Sequence, residues 1–170
     1  MTLLFADQAP ELAVAHDELY PERVDEGIPL SITLLYPFAP VSELGDAHLE
    51  ALRDFFAARV PFAFELRRLG QWEDGDVYAV PEPEGELREL MRALWARFAE
   101  FPPYGVPGND PPPHASLTRD EPADPVSHRA RVEQRLERLL PVRLEVTEAT
   151  LMEETALNVW RIRETFRLGT

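Results

Sequence analysis

The sequence predicts an α+β fold: two pseudo-symmetric lobes of antiparallel sheet with outer helices, separated by a central cleft. Three observations predict it. Short segments of alternating apolar and polar residues recur between longer stretches whose apolar residues are spaced by three and four. The order strand, helix, strand, strand occurs twice, over about 28–81 and again over about 112–167. Val60-Pro61-Phe62 and Leu140-Pro141-Val142 hold the same place in each unit, each proline ending a helix just before a strand. A shared period of this kind is how internal duplication shows in a sequence. The 170 residues read as one bilobal domain, 1–170, long enough to bury a core.

The elements follow in order. Leu3-Leu4-Phe5 suits a small edge strand, and 10–26, with Leu12, Val14, Leu19 and Val24 among acids, suits a broken helix that Gly27 and Pro29 stop. The apolar, β-branched stretch 30–36 predicts a strand ended by Pro37. Ser42 is the expected N-cap of a helix burying Leu49, Leu52, Phe55, Phe56 and Val60. Strands are expected at 62–69 and 76–80 around the turn residues Asp74-Gly75, then a helix with Leu87, Leu90, Met91, Leu94, Trp95 and Phe98 on its apolar face. A proline- and glycine-rich loop, 101–113, leads to a strand at 114–119. Asp124-Pro125 opens a helix reaching 140, and strands at 142–151 and 157–166 close the chain.

Composition excludes several functions. All 17 basic residues are arginine, against 31 acids, for a net charge of −14. Arg67-Arg68 and the series Arg129, Arg131, Arg135, Arg138 lie among acids and read as salt-bridged faces. Extended duplex nucleic acid is therefore not an expected partner, because it requires a basic face. A small phosphorylated ligand, a nucleotide or a short RNA end remains compatible, since a local pocket can be positive on an acidic protein. The absence of cysteine removes disulfides, thiolate nucleophiles and cysteine-bound metals, and suggests a cytoplasmic setting. No apolar run reaches the ~20 residues of a membrane span, and the N-terminus lacks the basic region of a signal peptide. Neither a membrane partner nor a cofactor is expected.

Two stretches carry chemistry. Ile28-Pro29-Leu30-Ser31-Ile32-Thr33-Leu34-Leu35-Tyr36-Pro37-Phe38 precedes Pro111-Pro112-Pro113-His114-Ala115-Ser116-Leu117-Thr118-Arg119, with His114 lying 83 residues after Ser31. If the repeat holds, Ser31 superposes on His114 and Thr33 on Ser116. Residues i and i+2 of a strand share a face, so Ser31 and Thr33 project together, as do His114 and Ser116. An imidazole gives or takes a proton near neutral pH, and a hydroxyl hydrogen-bonds a phosphate oxygen. Other readings stand beside this one. His114 could be a strand-start histidine bonded to its own loop, and Ser31 and Thr33 ordinary strand residues. Tyr104, just before the second stretch, could stack on a base or sugar, or serve structure. His16, His48 and His128 read as surface residues with no partner at metal-ligand spacing, so no metal site is expected. Tyr36 has the opposite strand parity to Ser31 and should point outward or into the core, and Trp72, Trp95 and Trp160 read as core.

Pro113-His114-Ala115-Ser116-Leu117-Thr118 resembles the histidine-x-threonine/serine motif of the 2H phosphoesterase superfamily, which includes 2′-5′ RNA ligase-like proteins. Ser31-Ile32-Thr33-Leu34-Leu35-Tyr36-Pro37-Phe38 resembles the first motif of a bacterial branch, in which a histidine precedes x-threonine-leucine-leucine-tyrosine-proline-phenylalanine; Pro102-Pro103-Tyr104-Gly105 resembles the same branch. The resemblance spans nearly the whole chain. It implies a cleft between two lobes and metal-independent hydrolysis of a phosphoric diester, either a cyclic phosphate or a 2′-5′ phosphodiester. His114 would be the acid or base, with Thr33 and Ser116 holding the phosphate. The chain departs from the family at Ser31, where the first histidine belongs. A serine cannot exchange protons near neutral pH, and losing one acid–base partner lowers the rate by roughly 10²–10⁴. An impaired phosphoesterase is therefore expected, with a catalytically inactive nucleotide- or phosphate-binding module as the alternative. RNA sealing is least favoured, as the chain has no lysine to carry a nucleotide.

Overall fold

The computed structural model describes residues 1–118, 124–136 and 138–169. Its strands are β1 (Thr2–Leu4), β2 (Ser31–Thr33), β3 (Phe62–Gln71), β4 (Val77–Glu82), β5 (Ala115–Ser116), β6 (Val142–Val146), β7 (Glu148–Ala156) and β8 (Val159–Arg167). The helices are α1 (Pro10–Leu19), α2 (Pro21–Asp25), α3 (Asp46–Ala57), α4 (Gly85–Arg97) and α5 (Pro125–Leu136). Arg119, the last residue of the second motif stretch, lies outside the described residues.

Period-two alternation lets each strand bury one face, and the strands join in one antiparallel sheet in the order β6-β3-β4-β5-β2-β1-β7-β8. The fold is α+β, as expected. Its two motif strands lie side by side at the middle of the sheet, with Ile32 opposite Ala115. A buried row crosses four strands here: Leu3 pairs with Ile32, Ile32 with Ala115 and Ala115 with Ala79, and each is at most 1% exposed. One residue to either side, the antiparallel register sets Ser31 beside Ser116 and Thr33 beside His114, all on the opposite face. The two halves also exchange strands. β2 from the first half leads through β1 to the C-terminal hairpin β7–β8, while β5 from the second half pairs with β4 of the first-half hairpin.

Helices cover the apolar face of the sheet. α3 buries Leu49, Leu52, Phe55 and Phe56 at the expected helical spacing, and the Phe56 ring stacks on Phe166 of β8 at 5.8 Å. α4 buries Leu87, Leu90, Met91 and Leu94. From the same helix the indole Nε1 of Trp95 donates to the Leu34 carbonyl at 2.7 Å, fixing the chain just beyond β2. Arg67 and Arg68 pair with Glu82, Arg129 with Glu133 and Arg135 with Glu18, so these four arginines are salt-bridged. Among the described residues no helix is long and apolar enough to cross a membrane.

Several local expectations are corrected. β1 is interior, between β2 and β7, because its three residues pair with β2 and Thr2 also pairs with Thr150 of β7. β2 is only three residues long, since Leu34 and Leu35 both turn their N–H groups to the Met1 carbonyl. α3 begins beyond Gly45, not Ser42: Glu43 and Leu44 bond back to the Pro40 carbonyl in a turn, and the Gly45 N–H donates to Nδ1 of His48 at 3.4 Å. The expected strand 142–151 is two strands, β6 pairing with β3 and β7 with β1 and β8. His16 and His128 are buried, 2% and 6% exposed. Each packs its ring inward, a choice that helical spacing alone does not reveal.

Candidate active site

The polar face of the β2–β5 pair floors a cleft of about 620 Å³. Ser31 and Thr33 from β2 line it together with His114 and Ser116 from β5 and its approach. Because Ile32 and Ala115 are committed to the core, strand parity leaves these four polar side chains no other face.

The His114 ring is fixed in both orientation and tautomer. Its Nδ1 lies 2.8 Å from the Pro112 carbonyl. A carbonyl only accepts, so Nδ1 carries the proton and Nε2 of the neutral ring keeps its lone pair. The bond to its own loop is thus present, and it organises the imidazole. Burial pushes the His114 pKa below its ordinary value of 6.5, while the bond to Pro112 opposes that shift. Two aromatic rings clamp the imidazole edge-on, Trp72 at 5.2 Å and Tyr78 at 5.6 Å, and they stack on each other at 4.4 Å. Gly70 makes room for this clamp. A Cβ there would stand 2.3 Å from the Tyr78 ring, so only glycine lets the ring cross β3.

The far wall is also aromatic. Tyr36, 49% exposed, meets Trp160 edge-on at 6.0 Å, and the Tyr104 N–H donates to the Tyr36 carbonyl at 2.6 Å. Tyr104 lines the cleft, half exposed, with φ at 55°. The Trp160 N–H donates to the Glu26 carbonyl at 2.8 Å, tying the β7–β8 hairpin to the end of α2. A Cβ on Gly27, at φ +74°, would lie 2.5 Å from the Trp160 carbonyl.

Tyr36 is therefore a cleft residue, contrary to its expected parity, because β2 ends three residues before it. Trp72 and Trp160 are likewise in the cleft wall, while Trp95 packs against the core as expected. The sequence reading also missed Arg23, Asp74, Asp76 and Thr118, all lining residues. Thr118 has the parity of His114 and Ser116, a signal that could have found it. Its hydroxyl accepts the Val77 N–H at 2.9 Å and meets Nε2 of His128 at 3.3 Å. Arg23 lies on a helix with no residue buried, and nothing in its surroundings in sequence marks it out. Among the described residues no group of three or more His, Asp or Glu side chains is arranged to hold a metal ion.

Comparison with known proteins agrees with this architecture. The model of the family described as the 2′-5′ RNA ligase superfamily matches residues 2–157. A solved structure titled a phosphoesterase superposes with a TM-score of 0.58 at 22% identity, covering 98% of this chain and 94% of that one. E. coli LigT, solved in complex with NADP+, superposes with a TM-score of 0.52 at 21% identity, covering 93% and 92%. No curated protein matches the sequence.

Proposed function

From the premise that the chain belongs to the 2′-5′ RNA ligase superfamily, we propose that it is a metal-independent phosphoesterase acting on a cyclic phosphate or a 2′-5′ phosphodiester of a nucleotide or RNA end. The observation that carries this reading is the β2–β5 pair, which turns three hydroxyls and one imidazole toward a single cleft. Thr33, Ser116 and Ser31 donate O–H groups to the non-bridging phosphate oxygens. His114 Nε2, unprotonated at neutral pH, takes the proton of the attacking water. A twin histidine at Ser31 would protonate the leaving oxygen. The serine there only hydrogen-bonds, so the leaving oxygen draws its proton from water and turnover is slow. That E. coli LigT was solved in complex with NADP+ supports a nucleotide as the class of ligand, and Tyr104 and Trp160 offer ring faces for a base. The cysteine-free chain fits a cytoplasmic setting.

The test is hydrolysis of 2′,3′-cyclic nucleotides and 2′-5′ dinucleotides in EDTA. Weak turnover is expected, lost in His114→Ala and raised at least about tenfold by Ser31→His. Unchanged turnover in both variants contradicts the reading. The departure at Ser31 favours a second one, a nucleotide-binding module without turnover. In that case the same nucleotides raise the melting temperature while no product forms.

A further inference from the structure

The tip of the β7–β8 hairpin gives the far wall of the cleft more than an aromatic surface. The hairpin turns at Leu157-Asn158, between the paired residues Ala156 and Val159. Asn158 takes φ 57° there, a left-handed conformation that asparagine accepts more readily than most side chains. The register shifts twice along β7, between Leu151 and Met152 and between Glu154 and Ala156, and irregularities of this kind re-aim side chains. Glu153 is held by Arg161 and Arg163 at 3.6 and 3.1 Å, whereas Met152 and Glu154 line the cleft. Glu154 lies directly across the ladder from Trp160, so a carboxylate and an indole are cross-strand neighbours on one wall. The Asn158 N–H donates to Oε1 of Glu154 at 2.8 Å. That bond uses one of about four lone-pair sites on the carboxylate and fixes its orientation. The Asn158 residue lines the cleft as well.

We propose that this wall selects guanine: Trp160 stacks on the base, Glu154 accepts from its N1–H and N2–H groups, and the Asn158 side-chain amide donates to its O6. The inference rests on the phosphodiester reading above and adds the base that the substrate carries. An unpaired base is recognised by stacking on an aromatic ring and by hydrogen bonds to its Watson–Crick edge. Guanine alone among the common bases sets two parallel N–H donors on that edge, and a carboxylate accepts such a pair through both oxygens. Adenine and cytosine put an unprotonated ring nitrogen where N1–H would be, so a carboxylate meets a lone pair. Uracil has one N–H between two carbonyls. The phosphate at the hydroxyl floor and the base at the hairpin fit one ligand. β7 is two strands from β2 in the sheet, roughly 10 Å, a span that a single nucleoside bridges. Tyr36 joins the two places, since it follows β2 and its ring meets Trp160.

The experiment is calorimetric titration of the intact protein, in EDTA, with the 2′,3′-cyclic phosphates of guanosine, inosine, adenosine and cytidine. The guanosine ligand is expected to bind at least about tenfold more tightly than the adenosine or cytidine ligand. Inosine, which keeps N1–H and lacks the 2-amino group, should fall between guanosine and adenosine. Glu154→Gln retains an oxygen for the Asn158 N–H but loses one acceptor of the pair. It should weaken guanosine binding at least about tenfold and leave adenosine and cytidine unchanged. Trp160→Phe should weaken all four ligands alike, because stacking is indifferent to the edge of the base. Guanosine binding no tighter than adenosine, inosine equal to guanosine, or a preference unmoved by Glu154→Gln overturns the guanine selection while leaving the phosphodiester reading standing. Should that variant fail to fold, the inosine comparison on the native protein decides. Failure of all four ligands to bind overturns both readings.

Discussion

Desolvation of the His114 imidazole sets the protonation state on which its proposed chemistry depends. Its pKa is lowered by burial, so the ring is a base throughout the neutral range. The activity should be flat above about pH 6.5 and fall as the pH drops through the depressed pKa. A kcat/KM profile checks this. With serine at position 31 the native protein should show no basic limb, and Ser31→His should introduce one, because the new imidazole must be protonated to act as an acid. His16 titrates in the same sense, its pKa lowered chiefly by burial, with its bond to Asp17 opposing. The unfolded chain protonates these histidines near pH 6.5 and the folded chain only below it, so stability is full above about 6.5 and declines as the pH falls. The melting temperature should drop between about pH 7 and pH 5, and less steeply in His16→Asn. How much was legible at this scale depended on strand parity. Ser31, Thr33, His114 and Ser116 were readable because parity holds over three or four residues of extended chain. Tyr36 was not, because two N–H groups turning to one carbonyl end β2 early.

At the scale of elements, the cleft depends on contacts that order one side chain through another. Gly70 admits Tyr78, Tyr78 stacks on Trp72, and both edges meet His114. Gly70→Ala should push Tyr78 aside and lower kcat more than it raises KM. A crystal structure of the variant would show the displaced ring, and unchanged kcat would mean that the clamp does not orient His114. Helix α3 serves stability instead. Leu52, fully buried beneath the sheet, should cost about 2–5 kcal/mol as alanine in urea unfolding, with kcat unaffected at temperatures where the variant is folded. Apolar spacing announced α3 and α4 because each shows a single buried stripe to one sheet. β1 was legible only as a short apolar patch. Its place inside the sheet comes from partners some thirty and nearly 150 residues away, which no local pattern encodes.

For the whole molecule, the strand exchange joins the two halves. β5 of the second half lies between β4 and β2 of the first, and β1 and β2 of the first half lie between β5 and β7 of the second, so neither half can complete its sheet alone. We read the chain as a duplication with repeats near 28–81 and 112–167, in which one histidine of a matched pair has become serine. The net charge of −14 turned expectation away from extended nucleic acid as a general matter of electrostatics. That Arg23, Asp74, Asp76 and Glu154 line one cleft is a property of the assembled walls, drawn from α2, the β3–β4 turn and β7. The central proposition is that the two motif strands hold one phosphate against His114. Its most direct test is the ¹⁵N resonance of His114 Nε2 during titration with a 2′-5′-linked dinucleotide. The resonance should shift with saturation in the native protein and remain fixed at the same ligand concentrations in Thr33→Ala/Ser116→Ala. A ligand that binds with full affinity while His114 stays unperturbed would contradict it.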